Sequence, residues 1–279
     1  MTVEIISSQW LADNLLDPKI KIIEVSSKKE NEAGYFKKHI PGAINFWWKD
    51  LCWDDTDRQF VTPLQLADRL GKVGISHENT VVLYGEPVQY GTYALWSMIM
   101  AGHPDIKLLD GGRMRWMSQE LPSTNKLPEI SKTEYKVQQP AQEMRLGRDD
   151  ILKNLNNNNR FLLDVRTPEE YSGERVMEYG QFDHGAERGG RIPGAKHLFF
   201  KELINKDDTF KEAHEIKAKL DNVGASLEKF NEIVVYCRLS HRATLVWTAM
   251  TYILGYTNVR IYDGSWTEWG SIVGFPVEK

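Results

Sequence analysis

The chain has 279 residues, 41% of them hydrophobic and 27% charged, with 35 lysines and arginines against 39 aspartates and glutamates. A net charge of −4 supplies no global field for nucleic acid or an anionic membrane, so neither partner is expected and any important positive charge must be local. No apolar stretch approaches the roughly 18 residues of a membrane span, and the opening "MTVEIISSQWLADNLLD" has no basic segment ahead of an apolar block, so a cytoplasmic protein is expected.

In chain order, the apolar run "KIKIIEV" at 19–25 predicts a first buried strand, and "PLQLADRLGKVGI" at 63–75 shows helical spacing with glycines near its end. "NTVVLYG" at 79–85 and "DIKLLD" at 105–110 predict two more strands. The stretch 121–142 is rich in Pro, Ser, Thr and Lys without helical periodicity and reads as a linker over the surface. The series then begins again: "RFLLDV" at 160–165, the helical "EIKAKLDNVGA" at 215–225, "EIVVYC" at 232–237 and "NVRIYD" at 258–263.

The second series is a copy of the first. "IIEVSS" at 22–27 answers "LLDVRT" at 162–167, and "HIPGAINF" at 39–46 answers "RIPGAKHL" at 191–198. "VVLYGE" at 81–86 answers "IVVYCR" at 233–238, and "LLDGGRMRW" at 108–116 answers "IYDGSWTEW" at 261–269. The offset grows from 140 to 152 between the first two pairs and reaches 153 at the last, which places a twelve-residue insertion between Tyr171 and Arg191 and a single extra residue just after Cys237. The reading is two α/β domains in tandem, 1–124 and 145–279, joined by a linker at 125–144. Each is a parallel sheet with helices on both faces.

Chemistry concentrates in "VVYCRLSHRATLVW" at 234–247. Ligands of parallel sheets bind beyond the carboxyl ends of strands, and Cys237 stands at such an end. A loop running from there into a helix near Arg242 to Thr244 aims backbone N–H groups at one point. Together with Arg238 and Arg242, these groups favour the thiolate form of Cys237. A cysteine that merely caps a strand would not explain arginines at +1 and +5 and a histidine at +4. The first copy has Gly85 and Glu86 where the second has Cys237 and Arg238, so only the second half is expected to carry chemistry. Cys52, with no base or cation cluster beside it, is a bystander thiol. Both cysteines are expected to be free, since their spacing fits neither a metal site nor a disulfide framework. Trp96, Trp116, Trp266 and Trp269 read as packing residues, as do Trp47, Trp48 and Trp53, although Trp47 or Trp48 could wall a pocket.

With these motifs in hand, the chain resembles the tandem-domain rhodaneses, the thiosulfate sulfurtransferases. "HIPGA" and "RIPGA" are similar to one family signature, "CRLSHR" to its six-residue active-site loop, and "YDGSWTEWGSIVGFPVEK" to its C-terminal signature. The resemblance spans both halves outside the linker and the 173–190 insertion. It implies ping-pong sulfur transfer through a persulfide on Cys237, from thiosulfate to cyanide or another thiophile, with no metal or organic cofactor. It also implies that Arg238, Leu239, Ser240, His241 and Arg242 line the substrate site, and that Arg166 belongs to the pocket or its scaffold. Arg191 stands where the family often has histidine, which adds an arginine that could approach the pocket. Glu170 stands where vertebrate-type relatives carry arginine. His184, Glu187 and Arg188 of the insertion rim the entrance or belong to a solvated loop. Thiols or thioredoxin-like proteins are further candidate acceptors, and a monomer is expected because two joined copies already make a pseudo-dimer.

Three other activities share parts of this pattern. Mercaptopyruvate sulfurtransferases have small, neutral residues after the cysteine, unlike "CRLSHR". Cysteine phosphatases place five residues between Cys and Arg, whereas four separate Cys237 from Arg242. A persulfide carrier needs the same residues as the enzyme and is not distinguished by sequence.

Overall fold

A computed structural model describes residues 1–29, 34–141 and 143–279. The chain divides into two units, Met1–Gln142 with Lys206–Thr209, and Glu143–Asn205 with Phe210–Lys279. No helix among the described residues is long and apolar enough to cross a membrane.

The first unit contains strands β1 (Thr2–Ile6), β2 (Ile20–Ser26), β3 (Ile44–Trp47), β4 (Thr80–Glu86) and β5 (Asp105–Leu109). Its helices are α1 (Ser8–Asp13), α2 (Trp48–Cys52), α3 (Pro63–Lys72), α4 (Val88–Met100) and α5 (Gly112–Ser118). The strands pair in the order β1-β5-β4-β2-β3, all parallel. Buried on both faces, β4 needs no polar alternation and reads as the continuous run Val81–Val82–Leu83–Tyr84, each fully buried. Helix α3 starts where Thr62 and Gln65 cap each other's backbone N–H groups, with Pro63 at the first helical position. The linker crosses the surface of this unit: Thr124 exchanges backbone bonds with His39, Thr133 donates to Gly71, and Ala141 donates to Met100. Tyr135 is buried there with its hydroxyl 2.6 Å from His103 Nδ1.

The second unit repeats the plan with β6 (Arg145–Leu146), β7 (Arg160–Asp164), β8 (Lys196–His197), β9 (Glu232–Tyr236) and β10 (Val259–Tyr262), ordered β6-β10-β9-β7-β8. Its helices are α6 (Arg148–Lys153), α7 (Pro168–Ser172), α8 (Ala213–Val223), α9 (His241–Thr248) and α10 (Ser265–Trp269), and α9 runs on into a π-helical turn at Ala249–Ile253. Strand order and direction match the first unit term by term. The duplicated motifs do one job in both copies. A tyrosine near the carboxyl end of the central strand accepts the backbone N–H of the isoleucine in "IPGA", Tyr84 from Ile40 and Tyr236 from Ile192.

A buried carboxylate sits beside that tyrosine in each unit, and the two copies neutralise it differently. Glu24 accepts from Tyr84 Oη and from Arg113 Nη1 at 2.9 and 3.1 Å. Its counterpart Asp164 is paired with Arg166, whose Nη2 lies 2.6 Å away. By the repeat offsets, Arg113 corresponds to Trp266 and Arg166 to Ser26. The cation comes from α5 in the first copy and from the turn after β7 in the second, and the Arg166 guanidinium lies 4.6 Å from the ring of Trp266, which stands at the position of the other arginine. A buried charge needs a partner, but the fold does not dictate which element supplies it.

Two buried groups of the first unit give opposing pH terms. Burial pushes the Glu24 carboxyl up to about 7 against the pull of Arg113, and burial brings His103 down to about 4. Glu24 therefore contributes stability present below about pH 4.5 and lost as pH rises to 7. His103 contributes stability present above about 6.5 and lost as pH falls to 4. Each arm is worth about 3 kcal/mol. Relative to wild type, the unfolding free energy of Glu24→Gln is expected to rise between pH 4.5 and 7, and that of His103→Asn to fall between pH 4 and 6.5. Denaturant titrations across this range check both, and difference curves without slope would refute the assignment.

Candidate active site

Cys237 is the first residue past β9 and is buried, with 1% of its surface exposed. The loop closes within three residues, and α9 begins at His241, one residue earlier than the sequence predicts. The early start depends on Ser240, which adopts a left-handed conformation at φ 72° and accepts the first helical bond from Thr244 N–H at 2.8 Å. Helix α9 is buried along most of its length, at Ala243, Thr244, Leu245, Val246, Trp247 and Thr248. Its N-terminus is thus held rigidly behind the cysteine, where the helix dipole favours negative charge.

A second turn holds the loop from behind. Ser265 opens α10 with φ 52°, again left-handed, and its Oγ accepts the backbone N–H of Cys237 at 3.3 Å. The Ser240 hydroxyl donates to the Asp263 carbonyl at 2.6 Å, and the two serine hydroxyls lie 3.4 Å apart. Trp266 N–H and Thr267 N–H donate to the carbonyls of Cys237 and Arg238 at 2.9 and 3.1 Å. Left-handed conformations cost a non-glycine residue about 1–2 kcal/mol, and two such serines meeting under one cysteine is the pattern of strain held at a functional site. Sequence reasoning did not single out Ser265. Its signal lay in the repeat: the first copy has Gly112 at that position with φ 51°, so serine replaces the unstrained residue only where its hydroxyl meets the cysteine loop.

The arginines named from the sequence have separate placements. Arg242, on the first turn of α9, gives both terminal nitrogens to Glu170 of α7, at 2.6 and 2.8 Å. The carboxylate is fully buried and the guanidinium side chain 11% exposed. Burial would lift Glu170, but the Arg242 fork more than offsets it and holds the carboxyl below its ordinary value. Arg166 is fully buried on Asp164 and the Gly190 carbonyl. Arg191 is tied to Glu278, with its guanidinium 4.6 Å from the Tyr171 ring. These three cations are engaged by protein groups of the second unit. Arg238 is half-buried with its guanidinium against Gly185, Leu239 is half-buried, and His241 is 8% exposed at the start of α9.

The insertion joins this frame. Arg188 gives its guanidinium to four carbonyls around the end of α10, those of Trp269, Gly270, Ile272 and Phe275, and its own carbonyl accepts from Trp266 Nε1. Arg188 is therefore a structural anchor. Glu187 is exposed, and His184 is exposed with its ring 5.6 Å from that of Phe182.

In the first unit the corresponding loop has no room for a side chain. A Cβ on Gly85 would collide with the Gly91 nitrogen and lie 2.6 Å from the Pro87 carbonyl oxygen. Glu86 accepts from Gly34 N–H at 3.2 Å and lies 3.4 Å from Arg113. Cys52 is fully buried in α2, and burial pushes its thiol up to about 12.

Two parallel α/β units of matching topology, with a cysteine loop closing on a helix N-terminus in the second and a glycine at the matching position of the first, define a class of duplicated α/β domains. The chain belongs to the rhodanese-like family: the family's domain model matches it twice, at 7–119 and 148–272. It is 38% identical to the "Sulfur carrier protein TtuD" of Thermus thermophilus over 99% of this chain and 96% of that one. It is 37% identical to a protein of Haloferax volcanii named "Putative thiosulfate sulfurtransferase", again over 99% and 96%. Among solved structures, YnjE superposes with a TM-score of 0.82 at 27% identity, covering 99% of this chain and 68% of that one. The anaerobic ergothioneine biosynthesis enzyme of Chlorobium limicola has the same fold, with a TM-score of 0.82 at 24% identity over 99% and 70%.

Proposed function

We propose that this member of the sulfurtransferase family takes sulfane sulfur from thiosulfate onto Cys237 and passes it to cyanide or another thiophilic acceptor. The observation that carries the reading is the placement of Cys237 on a strained loop at the N-terminus of α9, with Arg238 as its immediate neighbour. In the first step Sγ of Cys237 attacks the outer sulfur of thiosulfate. The new S–S bond forms as the old one breaks, and sulfite leaves with the electron pair. In the second, the acceptor attacks the outer persulfide sulfur and the thiolate leaves, so the cysteine is restored.

Loop N–H groups and the helix end stabilise the anionic sulfur in both steps. Arg238 faces the sulfonate that becomes sulfite, while Arg242, neutralised by Glu170, Arg166 on Asp164 and Arg191 on Glu278 serve as frame. The four-residue span between Cys237 and Arg242 suits one sulfur on the cysteine rather than a ringed phosphate. No metal or organic cofactor enters the scheme.

A carrier role is the second reading, favoured by the Thermus relative's name. Steady-state assays with cyanide as acceptor and thiosulfate or mercaptopyruvate as donor test the proposal. Thiosulfate is expected to have the higher kcat/KM. Faster turnover of mercaptopyruvate would overturn the donor assignment, and a persulfide that forms but passes only to a protein acceptor would favour the carrier.

A further inference from the structure

The 173–190 insertion occurs only in the copy that keeps the cysteine, and besides its internal bonds it contacts the end of α10 and, at Gly185, Arg238 of the cysteine loop. Gly185 lies against Arg238: a Cβ built there would overlap Arg238 Nη1 and sit 3.9 Å from Thr267 Oγ1. Thr267 in turn binds the Arg238 carbonyl through its backbone N–H. Arg188 fixes the segment three residues further on by its four carbonyl contacts with the end of α10. The wall beside Arg238 is therefore backbone without a side chain, held on the same helix that holds the cysteine loop.

We propose that Gly185 is a specificity-determining position of this sulfurtransferase, whose bare backbone lets the Arg238 guanidinium lie against the insertion and thereby aims it at the sulfonate of the donor. The inference rests on thiosulfate being the donor. A guanidinium displaced by a Cβ still carries its charge but loses its direction, and a misplacement of about 1 Å in such a group costs up to roughly 10²-fold in rate. The loss should fall on the half-reaction that binds a dianion and not on the one in which a small acceptor removes sulfur from the persulfide.

Gly185→Ala tests this, with Gly180→Ala as its control. Gly185 has φ +112° and Gly180 φ +83°, so both substitutions strain the same segment, but nothing lies within 4 Å of a Cβ on Gly180. The expected result is a fall of about 10- to 100-fold in kcat/KM for thiosulfate in Gly185→Ala. Its kcat/KM for cyanide, and both constants in Gly180→Ala, should stay within about twofold of wild type. In the Arg238→Ala background, Gly185→Ala should add nothing, since the group it displaces is gone. Equal thiosulfate constants in the two alanine variants would overturn the proposal. If Gly185→Ala does not fold, Arg238→Ala/Gly185→Ala should fold, because the collision is removed; failure of that double variant too would assign the effect to backbone strain and overturn the proposal. A wild-type enzyme that accepts no sulfur from thiosulfate would instead refute the donor assignment, a result visible before any variant is compared.

Discussion

Replacing Cys237 by serine is expected to abolish sulfur transfer, by on the order of 10⁴-fold or more, while leaving the fold in place. Serine fits the space of the thiol and keeps the backbone bond to Ser265, so unfolding should shift by about 1 kcal/mol at most. The hydroxyl is a far weaker nucleophile than a thiolate and does not hold a transferable sulfur. Intact mass after incubation with thiosulfate should show a gain of about one sulfur, roughly 32 Da, in wild type and none in Cys237→Ser. Cyanide should erase the gain. A serine variant that still takes up one sulfur would place the persulfide elsewhere and overturn the reading of the loop.

Removing Glu170 is expected to have the largest effect on stability. Glu170→Ala leaves Arg242 without its carboxylate in a position 11% exposed, and breaking a buried pair in this way costs about 3–5 kcal/mol. The same substitution removes a pH term. Glu170 is held below its ordinary value, so its contribution is present above about pH 4.5 and lost as pH falls through the lower, folded-state value. The variant's stability deficit should therefore shrink on acidification. The double variant Glu170→Leu/Arg242→Met should recover much of the loss, since an apolar pair of similar volume avoids desolvation. Denaturant midpoints for Glu170→Leu, Arg242→Met and the double variant give the coupling, expected at about 2 kcal/mol or more. Additive losses would show that the pair is not a unit.

What the sequence carries and what it hides follow from the range of each signal. The central strands and the cysteine loop are legible because apolar runs and turn residues are local, and because the duplication prints each twice. Strands β6 and β8 are two residues long, too short for any periodicity to register, and β1 mixes Glu4 into an apolar segment at the sheet edge. Arg166, Arg191 and Arg242 are visible as charges near the motifs, but their carboxylate partners are not. Glu170 lies 72 positions before Arg242 and Glu278 lies 87 after Arg191, and complementarity over such distances leaves no spacing to read. The Gly112 to Ser265 exchange is the opposite case: the residues are plain in the sequence, while their meaning depends on a backbone angle.

The burial of Cys52 bears on how the protein meets oxidants. The chain has two cysteines, and the one in α2 is fully buried with its thiol pushed up to about 12, so it supplies neither nucleophile nor resolving partner to the other. A sulfenic acid formed on Cys237 has no second thiol within the chain to capture it as a disulfide, and its repair before irreversible overoxidation falls to small thiols or reductases from outside.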